Sequence, residues 1–265
     1  MRLNGRRVED ARVNLRIAFP EWSEARRERV LLASFENVGR GLAEFAWQSH
    51  MTEDEARARV RTEGADVLDG VDTSRGVVVL TAHFGNWELM AVSMASHGYP
   101  LSIVHRPRTN AGVDRLIMGQ REAVAGDLLP RGNAARAALR ALRDGRFLAM
   151  PYDQNCTRQE AVFVPFFGRL ATARIAPVRI AMRTGAPVIP AFLHREPDGF
   201  HHVCKVRPIL ELVRDEGDTE AAVRENAARM TRAIEDEIRS APENWTWLHR
   251  RWRTQPPGEP RPAYA

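Results

Sequence analysis

His83 and Glu88 stand five residues apart in the stretch Thr81-Ala82-His83-Phe84-Gly85-Asn86-Trp87-Glu88. An imidazole with a carboxylate on its Nδ1–H keeps one tautomer, and the carboxylate stabilises the imidazolium. Nε2 is then free to act as a general base. With a hydroxyl acceptor and an activated acyl group, such a pair runs acyl transfer. The reading expects Glu88 to fold back from the first turns of a helix onto His83. Gly85-Asn86 calls for a tight turn that brings backbone N–H groups near the site, with Asn86 a weaker binding candidate. Spacing alone leaves a helix cap or a structural polar pair as the alternative.

The elements around this stretch place it well. Residues 76–82 form a continuous β-branched run, as in a strand buried on both faces. Residues 89–97 read as a helix. In open α/β sheets ligands bind at the carboxyl ends of strands, which is where His83 falls. Further strands are expected at 101–105, 146–151, 188–194 and 201–206, and helices at 110–125, 133–144, 173–184 and 219–240. Upstream, Ser23 caps a predicted helix over 24–49, and Thr52-Glu53-Asp54-Glu55 is a capping box for a helix to about 62. The expected fold is α/β: a mixed, largely parallel central sheet flanked by helices, after an N-terminal helical segment. We divide the chain into a helical segment (1–65), a catalytic domain (66–253) and a loose Pro-rich tail (254–265).

Six ordered blocks identify a resemblance that runs along nearly the whole chain. They are Asn14-Leu15-Arg16-Ile17-Ala18-Phe19-Pro20-Glu21; His83-Phe84-Gly85-Asn86-Trp87-Glu88; Asp153-Gln154; Phe163-Val164-Pro165-Phe166-Phe167-Gly168 with Ala171-Thr172; Thr184-Gly185-Ala186-Pro187-Val188; and Trp245-Thr246-Trp247-Leu248-His249-Arg250-Arg251-Trp252. Together they resemble the lipid A biosynthesis acyltransferases, within the lysophospholipid acyltransferase superfamily marked by His-x4-Asp/Glu, with its glycerolphosphate acyltransferase-like fold.

The resemblance implies acyl transfer without a covalent enzyme intermediate. His83 would deprotonate an acceptor hydroxyl and Glu88 would orient His83. Arg121 and Asp153 would also line the site, Arg121 as oxyanion or phosphate ligand, with Arg115 and Arg131 as competitors for that role. Arg106, Arg131 and Gln154 are weaker substrate-binding candidates. Phe166 and Phe167 are candidates for an acyl-chain channel, against the plainer reading of core residues. The implied donor is acyl-ACP or acyl-CoA, used as co-substrate with no cofactor or metal. The implied acceptor is a phosphorylated glycolipid such as a lipid A precursor, with a lysophospholipid or mannosylated phosphoinositide as the alternative. The expected partners are an acyl carrier protein and an anionic membrane, and the chain is expected to act as a monomer.

Composition narrows the remaining options. All but one of the 39 cationic side chains among 265 residues are Arg, the exception being Lys205. Arg binds phosphate or carboxylate through a planar fork. Residues 106–146 hold nine Arg against four acids, which equals the whole chain's net charge of +5. We expect a basic rim beside the site. No apolar run approaches the roughly 18–20 residues that span a bilayer. The resemblance implies a membrane-spanning helix just upstream of 12–19, where this chain has about ten residues. Either Met1 is an internal start, or the chain is peripheral, held at the cytoplasmic face of the inner membrane through Arg2, Arg6, Arg7 and Arg12.

Rival chemistry finds little support. Cys156 has no base adjacent in sequence, and Ser93 and Ser102 lie outside any GxSxG elbow. His194, His201, His202 and Cys204 lack metal-site spacing. His249-Arg250-Arg251-Trp252-Arg253 suits either a nucleic acid or a membrane interface, but nucleic-acid signatures are missing and no nucleic-acid partner is expected. A non-catalytic lipid-binding protein on the same fold is the remaining alternative.

Overall fold

Five residues, Val77–Thr81, form a fully buried strand (β2) at the centre of a seven-stranded sheet. A computed structural model describes residues 5–105, 111–122, 127–130, 134–214 and 219–264. The other strands are β1 (Val60–Glu63), β3 (Leu101–His105), β4 (Asp127–Pro130), β5 (Phe147–Pro151), β8 (Val188–Arg195) and β9 (His202–Val206). The sheet order is β1-β9-β8-β2-β5-β3-β4. Strands β8, β2, β5, β3 and β4 run parallel, β9 is antiparallel to β8, and β1 is parallel to β9. A separate hairpin pairs β6 (Ala161–Phe166) with β7 (Arg169–Arg174).

Alternation along β2 divides the interior in two. Val78 and Leu80 join the core that includes Leu142 of α6 (Ala134–Arg143), Val178 of α7 (Ile175–Thr184) and Met230 of α8 (Glu220–Ser240). Val77 and Val79 face the other core, with Leu89 and Met90 of α4 (Trp87–Ser96). Helix α5 (Ala111–Glu122) leads to the edge strand β4.

The N-terminal helices α1 (Gly5–Ala18) and α2 (Glu24–Trp47) clamp the far end of the chain. Asn14 Nδ2 donates to the carbonyls of Trp247 and His249 at 2.7 and 2.6 Å. Ser34 Oγ donates to the Trp245 carbonyl at 2.7 Å. Ser23 caps α2 as expected, accepting from the Arg26 N–H.

Several expected boundaries move. The capping box at Thr52 starts a short α3 (Glu53–Arg59), but Val60–Glu63 leave it as strand β1 and pair with β9. The sheet therefore begins before the boundary drawn at residue 65. The tail is tied down rather than loose. Gln255 is buried and donates to the Leu170 and Trp252 carbonyls, and Tyr264 donates its hydroxyl hydrogen to Asn14 Oδ1 at 2.7 Å. Strand β4 and the β6–β7 hairpin were not among the expected strands.

Candidate active site

Strands β2 and β5 are neighbours in parallel register, with Thr81 opposite Pro151. Two residues beyond each of those positions stand His83 and Asp153. The register delivers an imidazole and a carboxylate to one place, although 70 residues separate them. Asp153 Oδ1 is 2.8 Å from His83 Nδ1, and Asp153 Oδ2 accepts the His83 backbone N–H at 3.0 Å. The Trp245 indole N–H donates to the same Oδ2 at 2.9 Å. The carboxylate is thus buried, held at both oxygens and aimed at one ring nitrogen.

The loop after β2 is secured by the chain's closing segment. Gly85 adopts φ 55° and packs its Cα against the Leu193 carbonyl, where a Cβ would collide. The Gly85 N–H donates to the Asn244 carbonyl at 2.8 Å, and the Thr246 N–H donates to the His83 carbonyl at 3.0 Å. The following loop is held in the same way, with the Asn155 N–H donating to His249 Nε2 at 2.7 Å. Burial takes the His249 pKa down to about 4, so it stays a neutral acceptor there.

Electrostatics favour a basic His83. Burial opposes its charged form, but the Asp153 charge and hydrogen bond, with Glu88 further off, outweigh burial and raise its pKa above the ordinary value of 6.5. Burial likewise opposes the Asp153 anion, yet His83 and the Trp245 N–H hold its pKa well below the carboxylate range. With Nδ1–H directed at Asp153, the Nε2 lone pair faces the opposite way. Gln154 Nε2 lies 3.2 Å from His83 Nε2 and 3.5 Å from Nδ1, so the amide sits over the ring face and off the Nε2 lone pair.

Glu88 does not take the place expected of it. Nδ1 is occupied by Asp153, and the Glu88 carboxylate binds Arg121 instead, through Nε at 3.1 Å and Nη2 at 2.6 Å. The Trp87 indole N–H also donates to it at 3.1 Å. Glu88 is the second residue of α4, and from there its side chain reaches α5 rather than back to the strand end. Arg121 correspondingly faces a carboxylate, and its Nη1 is the fork nitrogen without a partner among the described residues. His83, Glu88, Arg121 and Gln154 line one cavity of about 340 Å³ whose inner wall is apolar.

Other expected site residues lie elsewhere. Asn86 is buried as the N-cap of α4, accepting from the Leu89 N–H and donating to Glu44 Oε2 at 2.7 Å, so it is turned away from the cavity. Phe166 and Phe167 are buried among Phe19, Trp245, Trp247 and Trp252, and neither lines the cavity, so they are core and not a channel. Arg106 and Arg131 lie outside the described residues, as does part of the expected basic rim. Within that rim Arg146 is structural, donating to Ser102 Oγ and the Leu101 carbonyl.

The rival sites separate as well. His194 pairs with Glu237, and His201 with Asp198. Among the described residues, no three metal-ligating side chains gather. Burial raises the Cys204 thiol to about 12, and Cys156 is buried with its N–H donating to Thr172 Oγ1. The group at 249–253 is no surface patch, because Arg251 and Trp252 are fully buried and Arg250 pairs with Asp10.

Trp245, His249 and Arg174 were not singled out as site residues. Trp245 and His249 lie in a recognisable block, but nothing in their spacing points to Asp153 or Asn155. Arg174, at the cavity rim, carries no sequence signal.

The family model described as bacterial lipid A biosynthesis acyltransferase matches residues 1–254. The lipid A biosynthesis lauroyltransferase of Escherichia coli (strain K12) is 30% identical over 266 residues, covering 98% of this chain and 83% of the relative. The palmitoleoyltransferase of the same organism is 29% identical over 257 residues, covering 96% and 81%. A phosphatidylinositol mannoside acyltransferase of Mycolicibacterium smegmatis is 26% identical over 200 residues, covering 72% and 63%.

Proposed function

Because this chain belongs to the bacterial lipid A biosynthesis acyltransferase family and is an acyltransferase, we propose that it moves a fatty acyl group from a thioester to a hydroxyl of a phosphorylated glycolipid. The donor in this reading is acyl-ACP, with acyl-CoA second. The acceptor is a lipid A precursor. A phosphoinositide mannoside is the second acceptor reading, favoured by the mannoside acyltransferase relative. The relatives are named for different acyl groups, so membership leaves chain length open.

The observation that carries the reading is the 2.8 Å contact between Asp153 and His83 Nδ1, beside a cavity whose lining joins polar groups to an apolar wall. Asp153 keeps the imidazole in one tautomer and stabilises its protonated form. The acceptor hydroxyl approaches the Nε2 lone pair and gives its proton to that nitrogen. Its oxygen attacks the thioester carbonyl, forming the new C–O bond. The tetrahedral intermediate collapses by breaking the C–S bond, and the proton on Nε2 passes to the leaving thiolate. Arg121, positioned by Glu88, offers its Nη1 to the oxyanion or to an acceptor phosphate.

The apolar part of the cavity lining suits a lipid substrate, in keeping with peripheral attachment at the inner membrane. No described helix is long and apolar enough to cross a bilayer. The test is transfer by the purified chain from acyl-ACP or acyl-CoA to a lipid A precursor, read by mass spectrometry. His83→Ala is expected to lose about 10²–10⁴ in turnover with the fold intact. Near-normal turnover by that variant would sink the mechanism.

A further inference from the structure

The cavity at His83 extends well beyond its polar groups. From Glu88 and Arg121 it runs beneath α4, past Met90 and Met94, to Leu101 of β3 and Ala149 of β5. A second cavity, of about 390 Å³, lies against the same face of the sheet under the C-terminal half of α4. Its floor is Val77 and Val79 of β2, Phe147 of β5, and Ile189 and Ala191 of β8.

The linings of the two cavities adjoin. Phe147 and Ala149 are two apart on β5, so they share a face. Phe147 lines the second cavity and Ala149 lines the first. Met94 is in the wall of both. It is only partly buried and packs against the core on this side of the sheet. An unbranched thioether adjusts its rotamers to fill an irregular gap, which suits a movable partition.

We propose that Met94 is the specificity-determining residue that sets the length of the transferred acyl chain. This inference rests on the acyl-transfer reading given above. The thioester carbon sits at His83, the chain lies along the apolar wall beneath α4, and its methyl end abuts Met94. The second cavity is the space into which a longer chain extends when position 94 is made smaller. The polar rim of the first cavity fixes one end of the substrate, so length is measured from that point.

The test compares the intact chain with Met94→Ala and Met94→Phe, using saturated acyl thioesters of roughly ten to eighteen carbons. Each extra methylene accommodated is worth roughly fourfold in kcat/KM, from a transfer free energy of about 0.8 kcal/mol. Met94→Ala is expected to favour donors two carbons longer than the original optimum, by about fifteenfold relative to that optimum. Met94→Phe is expected to move the optimum to shorter donors. Adding Cys204→Phe, in the wall of the second cavity alone, to Met94→Ala is expected to cancel the gain.

Thermal-shift titration with free fatty acids of the same lengths reads occupancy without turnover and is expected to follow the same order. Unchanged chain preference in both Met94 variants, with transfer retained, overturns the proposal. If no protein transfers an acyl group, the acyl-transfer reading fails by itself. The fatty-acid titration then decides Met94 alone, and equal length dependence in all variants rejects its role.

Discussion

The carboxylate that meets His83 Nδ1 belongs to Asp153 on the adjacent strand end, at 2.8 Å, and not to Glu88 five residues along the chain. Glu88 instead holds Arg121 in a two-pronged ion pair. The site therefore contains two charge pairs with different duties. One tunes the base, and the other positions a cation beside it.

Asp153→Asn removes the charge that stabilises imidazolium while keeping the shape. The amide can also present a donor to Nδ1, which favours the wrong tautomer. Turnover is expected to fall by about 10²–10⁴-fold, with KM much less affected. Steady-state kinetics of the purified variant read this directly.

Glu88→Gln leaves Arg121 in place but weakens its hold. Glu88→Gln and Arg121→Gln act on one pair, so their effects on kcat/KM should be non-additive. A coupling of about 0.5–3 kcal/mol is expected from the double-mutant cycle. Simple additivity would show that the ion pair has no part in the transition state.

The His83–Asp153 pair also makes stability depend on pH. Asp153 has a depressed pKa, so its contribution is present above the ordinary 3.8 and is lost as pH falls through the folded value. His83 has a raised pKa, so its contribution is complete below 6.5 and is lost as pH rises through the folded value. The stability gap between the native chain and Asp153→Asn should therefore be widest between 3.8 and 6.5. Urea unfolding at about pH 5 and about pH 8 should show the larger gap at the lower pH.

Gly85→Ala places a Cβ against the Leu193 carbonyl at a φ of 55°. Backbone strain alone costs about 1–3 kcal/mol, and the collision adds to it. A lowered thermal midpoint is expected together with lost activity, because the loop carrying His83 moves.

Phe166→Ala distinguishes core from channel. The side chain is 1% exposed and packs on Trp245 and Trp252. A loss of about 3–5 kcal/mol of stability is expected, with the order of preferred acyl donors unchanged. A changed preference without destabilisation would restore the channel reading.

Much of this architecture was legible in the residues themselves. The β-branched run that became β2 and the cap at Ser23 carry strong local signals. Strand β1 was hidden because its four residues follow a true capping box and continue a helical charge pattern. Only pairing with β9 makes Val60–Glu63 extended. Strand β4 is equally short, and the β6–β7 hairpin contains Pro165, which weakens a strand signal.

The site divides along the same line. His83 was legible because a strand end followed by a Gly turn is a local pattern. The Asp153 contact was not, because it depends on which strands become neighbours and in what register. Glu88 misled for the opposite reason, since closeness in sequence implied closeness in space. Asn86 and Phe166 sit inside informative blocks, yet one caps a helix and the other fills the core. A block marks a region that matters, and its individual side chains divide between chemistry and support.

The most direct measurement follows the His83 imidazole by NMR titration in the native chain, Asp153→Asn and Glu88→Gln, with His83→Ala used to assign the signal. The account predicts a native pKa above 6.5. It predicts a fall below that value in Asp153→Asn, where burial acts unopposed by its nearest anion, and a smaller change in Glu88→Gln. An unaltered pKa in Asp153→Asn, with the large fall appearing in Glu88→Gln, would contradict it.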